Sequence, residues 1–322
     1  MNTYQTSLQN LDNHYLNFSE TSLTVMNVIL AFVMFGIALR MNVSDFKDVL
    51  KKPKSFIVGV CSQIFVLPLI TFLLCLSLRS VLSQSVAMGM ILVAACPGGN
   101  ISNFISSLSR GNISLSVSMS AFSTINCVII TPLNFAFWGG LYLKIVETSG
   151  FDMGEPIVIS FWTMLHAVII LLGIPIVIGI LFAKYLPKIA KKLVKPMSLF
   201  SIIAFIGFIV AALHANFYYF KQYIHLIGFL VILHNALALA SGNLLGRLMR
   251  LPLPDLRSVT IESGIQNSGL GLVLIFKPEL FKGLGGMAFV AACWGIWHII
   301  SGMGMALFWK WKDTKELRVV KS

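Results

Sequence analysis

Nine stretches of nearly continuous apolar residues divide this chain of 322 residues, each long enough to cross a bilayer as a helix. They fall at 23–40, 55–78, 86–108, 113–140, 157–183, 197–215, 226–247, 258–276 and 284–308, with short polar connections between them. A spanning helix needs roughly 20 apolar residues, and hydrocarbon offers exposed backbone groups no other partner. The pattern predicts an all-α polytopic membrane protein with nine transmembrane helices. It sets an N-terminal tail at 1–22, a transmembrane domain at 23–308 and a C-terminal tail at 309–322.

Two of the nine stretches are interrupted where a helix should be most regular. The third carries "ACPGGNISNF" (Ala95–Phe104), and the eighth carries "ESGIQNSG" (Glu262–Gly269). Pro97 removes a backbone donor, and the glycines beside it weaken the helix further. Each break sits in the third member of a set of four, and the two sets run through the membrane in opposite senses. Matched broken helices in oppositely oriented halves point to a transport site between inverted repeats. The fifth stretch is then an extra helix leading the second half.

Composition removes the alternatives to a membrane protein. Hydrophobic residues make up 57% of the chain and charged residues only 11%, against roughly 25% charged in soluble domains. The net charge of +12 would suit a nucleic-acid partner, but its distribution argues otherwise. With the N-terminus outside, only Arg79, Lys144, Lys221, Lys277 and Lys282 fall in outer segments, leaving 19 of the 24 basic residues inside. That skew is the positive-inside signature, and it places the C-terminus in the cytoplasm. No basic patch interleaved with aromatic residues is present, so no nucleic-acid partner is expected.

All five cysteines lie inside the apolar stretches, so neither a disulfide framework nor a CxxC metal site is expected. The first 22 residues include Asp12 and Glu20 and lack an apolar run, unlike a cleavable signal peptide. Asn17-Phe18-Ser19 forms a glycosylation sequon on the outer side, close to the first span. No soluble domain is expected.

The second break holds the one acid that lies well inside a span, Glu262; the other eleven of the 12 acidic residues sit in loops, tails or span ends. An ionised carboxylate in a membrane is costly and ordinarily faces a cation, a cavity or a proton path. Ser263, Gln266, Asn267 and Ser268 surround it, and Asn100, Ser102 and Asn103 stand at the first break. Oxygen-bearing side chains beside unwound carbonyls suit a hard monovalent cation such as Na⁺. Ser116 and Ser120 add two hydroxyls on one helix face, and Gln63 is a lone amide among apolar neighbours. Alone, the two serines would read as hydroxyls bonded back to their own helix.

The chain resembles the bile acid:sodium symporters in "ACPGGNISN", "SRGNISLSVSMSAFSTI", "LHN" (Leu233–Asn235), "TIESGIQNSGL" and "WHIISG" (Trp297–Gly302), a likeness covering nearly everything after the N-terminal tail. The nine-span layout is similar to that of the animal members. The resemblance implies a core domain in which the two broken helices cross, a panel domain, and a substrate cleft between them. It implies one sodium site at Ser102, Asn103, Ser116, Ser120 and Glu262. A second would share Glu262 with Gln63, Gln266 and backbone carbonyls near Ser263 and Ile265. Asn100, Asn267 and His298 are the expected substrate contacts. Asn100 stands where a small hydroxyl residue is common, and Ile299 where asparagine is, which bears on substrate choice. Ser120 in place of threonine keeps its oxygen.

The implied activity is sodium-driven import of an amphipathic organic anion, bile-acid-like, by alternating access. The partners are then sodium ions, the anion and the lipid bilayer of a plasma or bacterial inner membrane. No cofactor beyond the coupling ion is implied. A sodium/proton antiporter of related fold is the alternative, but such proteins need paired intramembrane acids. An intramembrane hydrolase would need a nucleophile and base, such as a GxSxG elbow, so no enzyme is expected. Among the remaining residues, His234 and Asn235 are expected to bond each other. Gly242 and Gly246 read as a close helix contact, and Trp309 and Trp311 as interfacial anchors.

Overall fold

The computed structural model of the protein describes residues 20–39, 53–99, 101–149, 157, 160–215, 217–277, 279–281 and 284–321. Among these residues the structure is helical, with no strand and with an isolated β-bridge between Gly98 and Gln266. The helices are α1 (Glu20–Ala38), α2 (Pro53–Ser77), α3 (Gln84–Ala95), α4 (Ile101–Leu108), α5 (Ile113–Thr148) and α6 (Phe161–Tyr185). They continue with α7 (Pro187–Ala215), α8 (Phe217–Leu248), α9 (Leu253–Gly264), α10 (Ser268–Ile275) and α11 (Gly285–Lys321).

Among the described residues, five helical segments are each long and apolar enough to cross a membrane: α2, α5, α6, Ile227–Leu248 of α8 and Gly285–Lys315 of α11. The interrupted third and eighth stretches of the sequence coincide with the half-helix pairs α3/α4 and α9/α10. The first and sixth stretches coincide with α1 and the later part of α7. Helix α11 runs past the expected boundary at 308 to Lys321.

Local chemistry explains where the helices start and bend. Ser83, Asn112, Ser160 and Asn267 each cap a helix by accepting a backbone N–H three residues ahead, satisfying donors that the first turn leaves open. α2 and α6 each widen into a π turn, at Ser62–Val66 and Ile169–Gly173, just before a proline, Pro68 or Pro175. α5 widens at Phe135–Gly139, after Pro132. A proline cannot donate to the preceding turn, and a π turn is one way for a helix to absorb that loss.

α1 lies mainly against α6 and α7. α3 is buried on every face, and α11 packs on α3, α8, α10 and α4. α8 lies along α9, where Gly242 meets Ser263 and Gly246 meets Leu256. The GxxxG pair is therefore a close helix contact within the chain. Trp294 is fully enclosed in the larger apolar core.

A polar knot binds the starts of α9 and α5. Asn112 N–H donates to the Pro254 carbonyl at 3.1 Å, and Ser258 Oγ donates to the Asn112 carbonyl at 2.9 Å. Asp255 accepts from Ser55 Oγ (2.6 Å) and Asn112 Nδ2 (2.8 Å). Arg257 reaches the Ser109 carbonyl at 2.8 Å and both carboxylate oxygens of Asp313 on α11 at 2.6 and 2.8 Å. A buried charge persists where it is paired and hydrogen-bonded, as Arg257 is with Asp313; Asp255 is held by two neutral donors. Trp309 lies beneath the Arg257 guanidinium at 5.5 Å, whereas Trp311 is exposed.

Candidate functional site

The two breaks meet. Pro97 ends α3 by forcing Cys96 into extended backbone (φ −70°, ψ 155°). Ile265 is likewise extended after α9 (φ −113°, ψ 100°). Gly99 N–H donates to the Ile265 carbonyl at 2.9 Å, and Asn267 N–H donates to the Pro97 carbonyl at 2.8 Å. Gly98 and Gln266 thus face each other across an antiparallel bridge. Backbone groups freed by the breaks satisfy one another, which makes unwound chain tolerable inside a span.

This approach needs glycine at position 98. A Cβ there would stand 2.6 Å from Gln63 Nε2 and 2.9 Å from Glu262 Oε2. The Gly98 N–H donates to Ser123 Oγ at 3.2 Å. At the end of α9, Asn235 Nδ2 donates to the Gly264 carbonyl at 2.7 Å, and Ser301 Oγ donates to Asn235 Oδ1 at 2.5 Å.

Glu262 is fully buried beside the crossing. Its Oε1 accepts from Ser102 Oγ at 2.5 Å and from Ser116 Oγ at 2.5 Å. Ser120 Oγ lies 3.1 Å from each carboxylate oxygen. Asn103 Oδ1 is 2.8 Å from Ser116 Oγ and 3.4 Å from Ser120 Oγ. A serine has one proton, so each hydroxyl can serve the acid or the amide but not both at once. The structure thus brings Ser102, Asn103, Ser116, Ser120 and Glu262 into one oxygen cluster drawn from α4, α5 and α9. Ser116 and Ser120 turn to the acid rather than to their own helix.

Two glutamines hold successive backbone carbonyls at the end of α9. Gln63 Nε2 donates to the Glu262 carbonyl at 3.0 Å, and Gln266 Nε2 donates to the Ser263 carbonyl at 3.0 Å. The side-chain oxygens of both glutamines are buried without a partner among the described residues. Ser62 Oγ and Ser263 Oγ are 2.8 Å apart. Buried polar atoms are nearly always hydrogen-bonded, so two orphan amide oxygens here mark a place for a cation or a donor. Among the described residues no three His, Cys, Asp or Glu side chains converge, so the donors are hard oxygens rather than a transition-metal set.

The expected substrate residues are placed less uniformly. Asn100 lies outside the described residues. Asn267 is half-buried, and its Oδ1 accepts from Leu270 N–H at 3.1 Å as the cap of α10. His298 is enclosed on α11, and its Nδ1 has no partner among the described residues. His234 and Asn235 do not form the expected pair. His234 Nε2 meets Thr71 Oγ1 at 2.7 Å and its ring packs at a tilt against Trp294, while Asn235 bonds to Gly264 and Ser301. Neighbours in a helix face about 100° apart, so they seldom share a partner. Ser123 was legible as the hydroxyl one turn beyond Ser120 on the face that carries Ser116. Ser62 and Asn235 carry no comparable sequence signal.

Residues 27–223 match the Sodium Bile acid symporter family. The chain is 32% identical over 315 residues to the uncharacterized sodium-dependent transporter YocS of Bacillus subtilis, covering 95% of this chain and 91% of that one. It is 30% identical over 298 residues to the probable chloroplastic sodium/metabolite cotransporter BASS1 of Arabidopsis thaliana, covering 89% and 67%. It is 28% identical over 261 residues to the human ileal sodium/bile acid cotransporter, covering 80% and 71%. The family match covers the first break, and the likeness to YocS, over 95% of the chain, spans both. The chain belongs to the Sodium Bile acid symporter family and is a sodium-dependent membrane transporter, not an enzyme.

Proposed function

We propose that the protein imports an amphipathic organic anion, a carboxylate or sulfonate such as a bile acid, together with sodium. The observation that carries this reading is Glu262, an acid fully enclosed and held by three hydroxyls where the two breaks cross. Ser102, Asn103, Ser116, Ser120 and Glu262 would hold one sodium ion. Gln63, Gln266, Glu262 again, and carbonyls near Ser263 and Ile265 would hold a second. A serine that donates to the acid need only rotate its hydroxyl to offer a lone pair to a cation. Sodium would then neutralise the carboxylate and tie α4, α5 and α9 together.

The starts of α4 and α10 lie at the crossing, and a helix N-terminus favours an anion. Asn100, Asn267 and His298 complete the proposed substrate contacts. His298 is enclosed in this conformation and would reach a cleft in another state of the cycle. Transport follows by alternating access, with α1, α6 and α7 as the panel and the remaining helices as the core. This scheme uses nine membrane crossings in inverted repeats, a tail at 1–22 outside and a tail at 309–322 in the cytoplasm. Bile acid is what the human relative's name specifies, and Asn100 and Ile299 are the positions where this chain's substrate choice would diverge. The antiporter alternative is set aside, because among the described residues Glu262 has no second acid beside it in the cluster.

The test is uptake of a panel of organic anions into proteoliposomes, with and without an inward sodium gradient. Sodium-stimulated accumulation of at least one amphipathic anion is expected. Uptake of every anion at equal rates in sodium and in potassium would overturn the proposal.

A further inference from the structure

Asn134 on α5 donates its side-chain N–H to the Ile64 carbonyl on α2 at 3.0 Å. The sequence explains why that carbonyl needs a donor from outside its helix. In α-helical register the N–H of residue 68 would bond it, and residue 68 is proline. The helix widens here instead, with Leu67 N–H bonded to the Ser62 carbonyl across a π turn. An unmet carbonyl inside a span is costly, and Asn134 removes that cost at this one place.

Gln63 sits inside the same π turn, next to Ile64. Its side chain must leave α2 at the angle that carries Nε2 to the Glu262 carbonyl. The turn sets that angle, and Asn134 holds the turn. Gln63, Thr131, Asn134, Ser123 and Pro97 also line one small cavity beside the first break. Within this group Gln63 Oε1 and Thr131 Oγ1 are buried without a partner among the described residues. Neither oxygen binds Asn134, so the bond from Asn134 to the backbone is what fixes the geometry.

We infer that Asn134 is a positioning residue for Gln63, and through it for the second sodium ion. The inference rests on the two-cluster reading given under Proposed function. It makes Asn134 a determinant of sodium cooperativity although it is not itself a sodium ligand.

The test is a double-mutant cycle on the full chain, reading sodium-dependent thermal stabilisation without substrate and sodium-dependent uptake with it. Asn134→Ala should weaken apparent sodium affinity by about fivefold, the loss of one hydrogen bond, and flatten the sodium dependence. At saturating sodium the substrate KM should stay near wild type. Gln63→Ala should do the same, and the double variant should be no worse than Gln63→Ala, since both act through one side chain. A general packing role would instead give additive losses, which would overturn the inference. Asn134→Ser keeps a shorter donor and carries the same cycle if the alanine variant fails to fold. If Gln63→Ala leaves sodium dependence unchanged, the two-cluster reading itself fails, and this inference fails with it. If Gln63→Ala acts and neither variant at 134 does, only the inference falls.

Discussion

Ser102 Oγ lies 2.5 Å from Glu262 Oε1, joining two breaks that are 160 residues apart in sequence. The contact links the first half-helix after one break to the last half-helix before the other. Any change in what Glu262 binds is therefore felt by both arms of the crossing, and this is how ion occupancy can be coupled to shape.

Gly98→Ala should disable the site while leaving the fold largely intact. The added methyl meets the ends of two flexible side chains, Gln63 and Glu262, rather than backbone. Such overpacking costs roughly 1–3 kcal/mol, and it is relieved by displacing two groups of the proposed sodium sites. Sodium-stimulated uptake should be lost with membrane insertion retained. Sodium affinity equal to wild type in this variant would show that the close approach at Gly98 is not part of the site.

Gln63→Ala should remove one of the two proposed ion sites. A sigmoidal sodium dependence of uptake in the wild type should become hyperbolic, with weaker apparent affinity. A wild type that is already hyperbolic would contradict two coupled sodium ions before the variant is made.

Much of this site was legible in the sequence because its logic is electrostatic. One acid in an apolar span must be compensated, and the only dense oxygen sources nearby in pattern were the two breaks and the Ser116/Ser120 face. The crossing itself was not legible from residues alone, since it depends on Gly99 meeting Ile265 and Asn267 meeting Pro97 across the fold. Helix ends were also obscured. Apolar character fades near 308, yet α11 continues to Lys321, because the residues beyond it include no Pro or Gly and are rich in Lys, Glu, Leu and Arg, which favour a helix. The sequence read Asn267 as a substrate contact, although asparagine is also a residue type favoured for capping a helix, which is what the structure shows.

Asn267→Ala should therefore act first on α10. Losing the cap should lower stability by about 1 kcal/mol, visible as a lower melting temperature in sodium-free buffer. Asn267→Asp, which keeps the accepting oxygen, should restore most of it. If Asn267 also orients substrate through its amide nitrogen, the aspartate variant will keep stability and sodium binding but raise the substrate KM. Wild-type KM in the aspartate variant would leave capping as the residue's role.

The claim on which the rest depends is that Glu262 binds sodium. The most direct measurement is thermal stability of the purified protein against sodium concentration, wild type beside Glu262→Gln, with potassium as the control. A ligand that binds only the folded state stabilises it in proportion to the logarithm of its concentration above Kd. The wild type should gain stability with sodium and not with potassium. Glu262→Gln keeps the shape of the side chain and leaves the serine hydroxyls free to reorient, so it should fold and give a flat line in both salts. A Glu262→Gln variant that still gains stability from sodium as the wild type does would contradict the account.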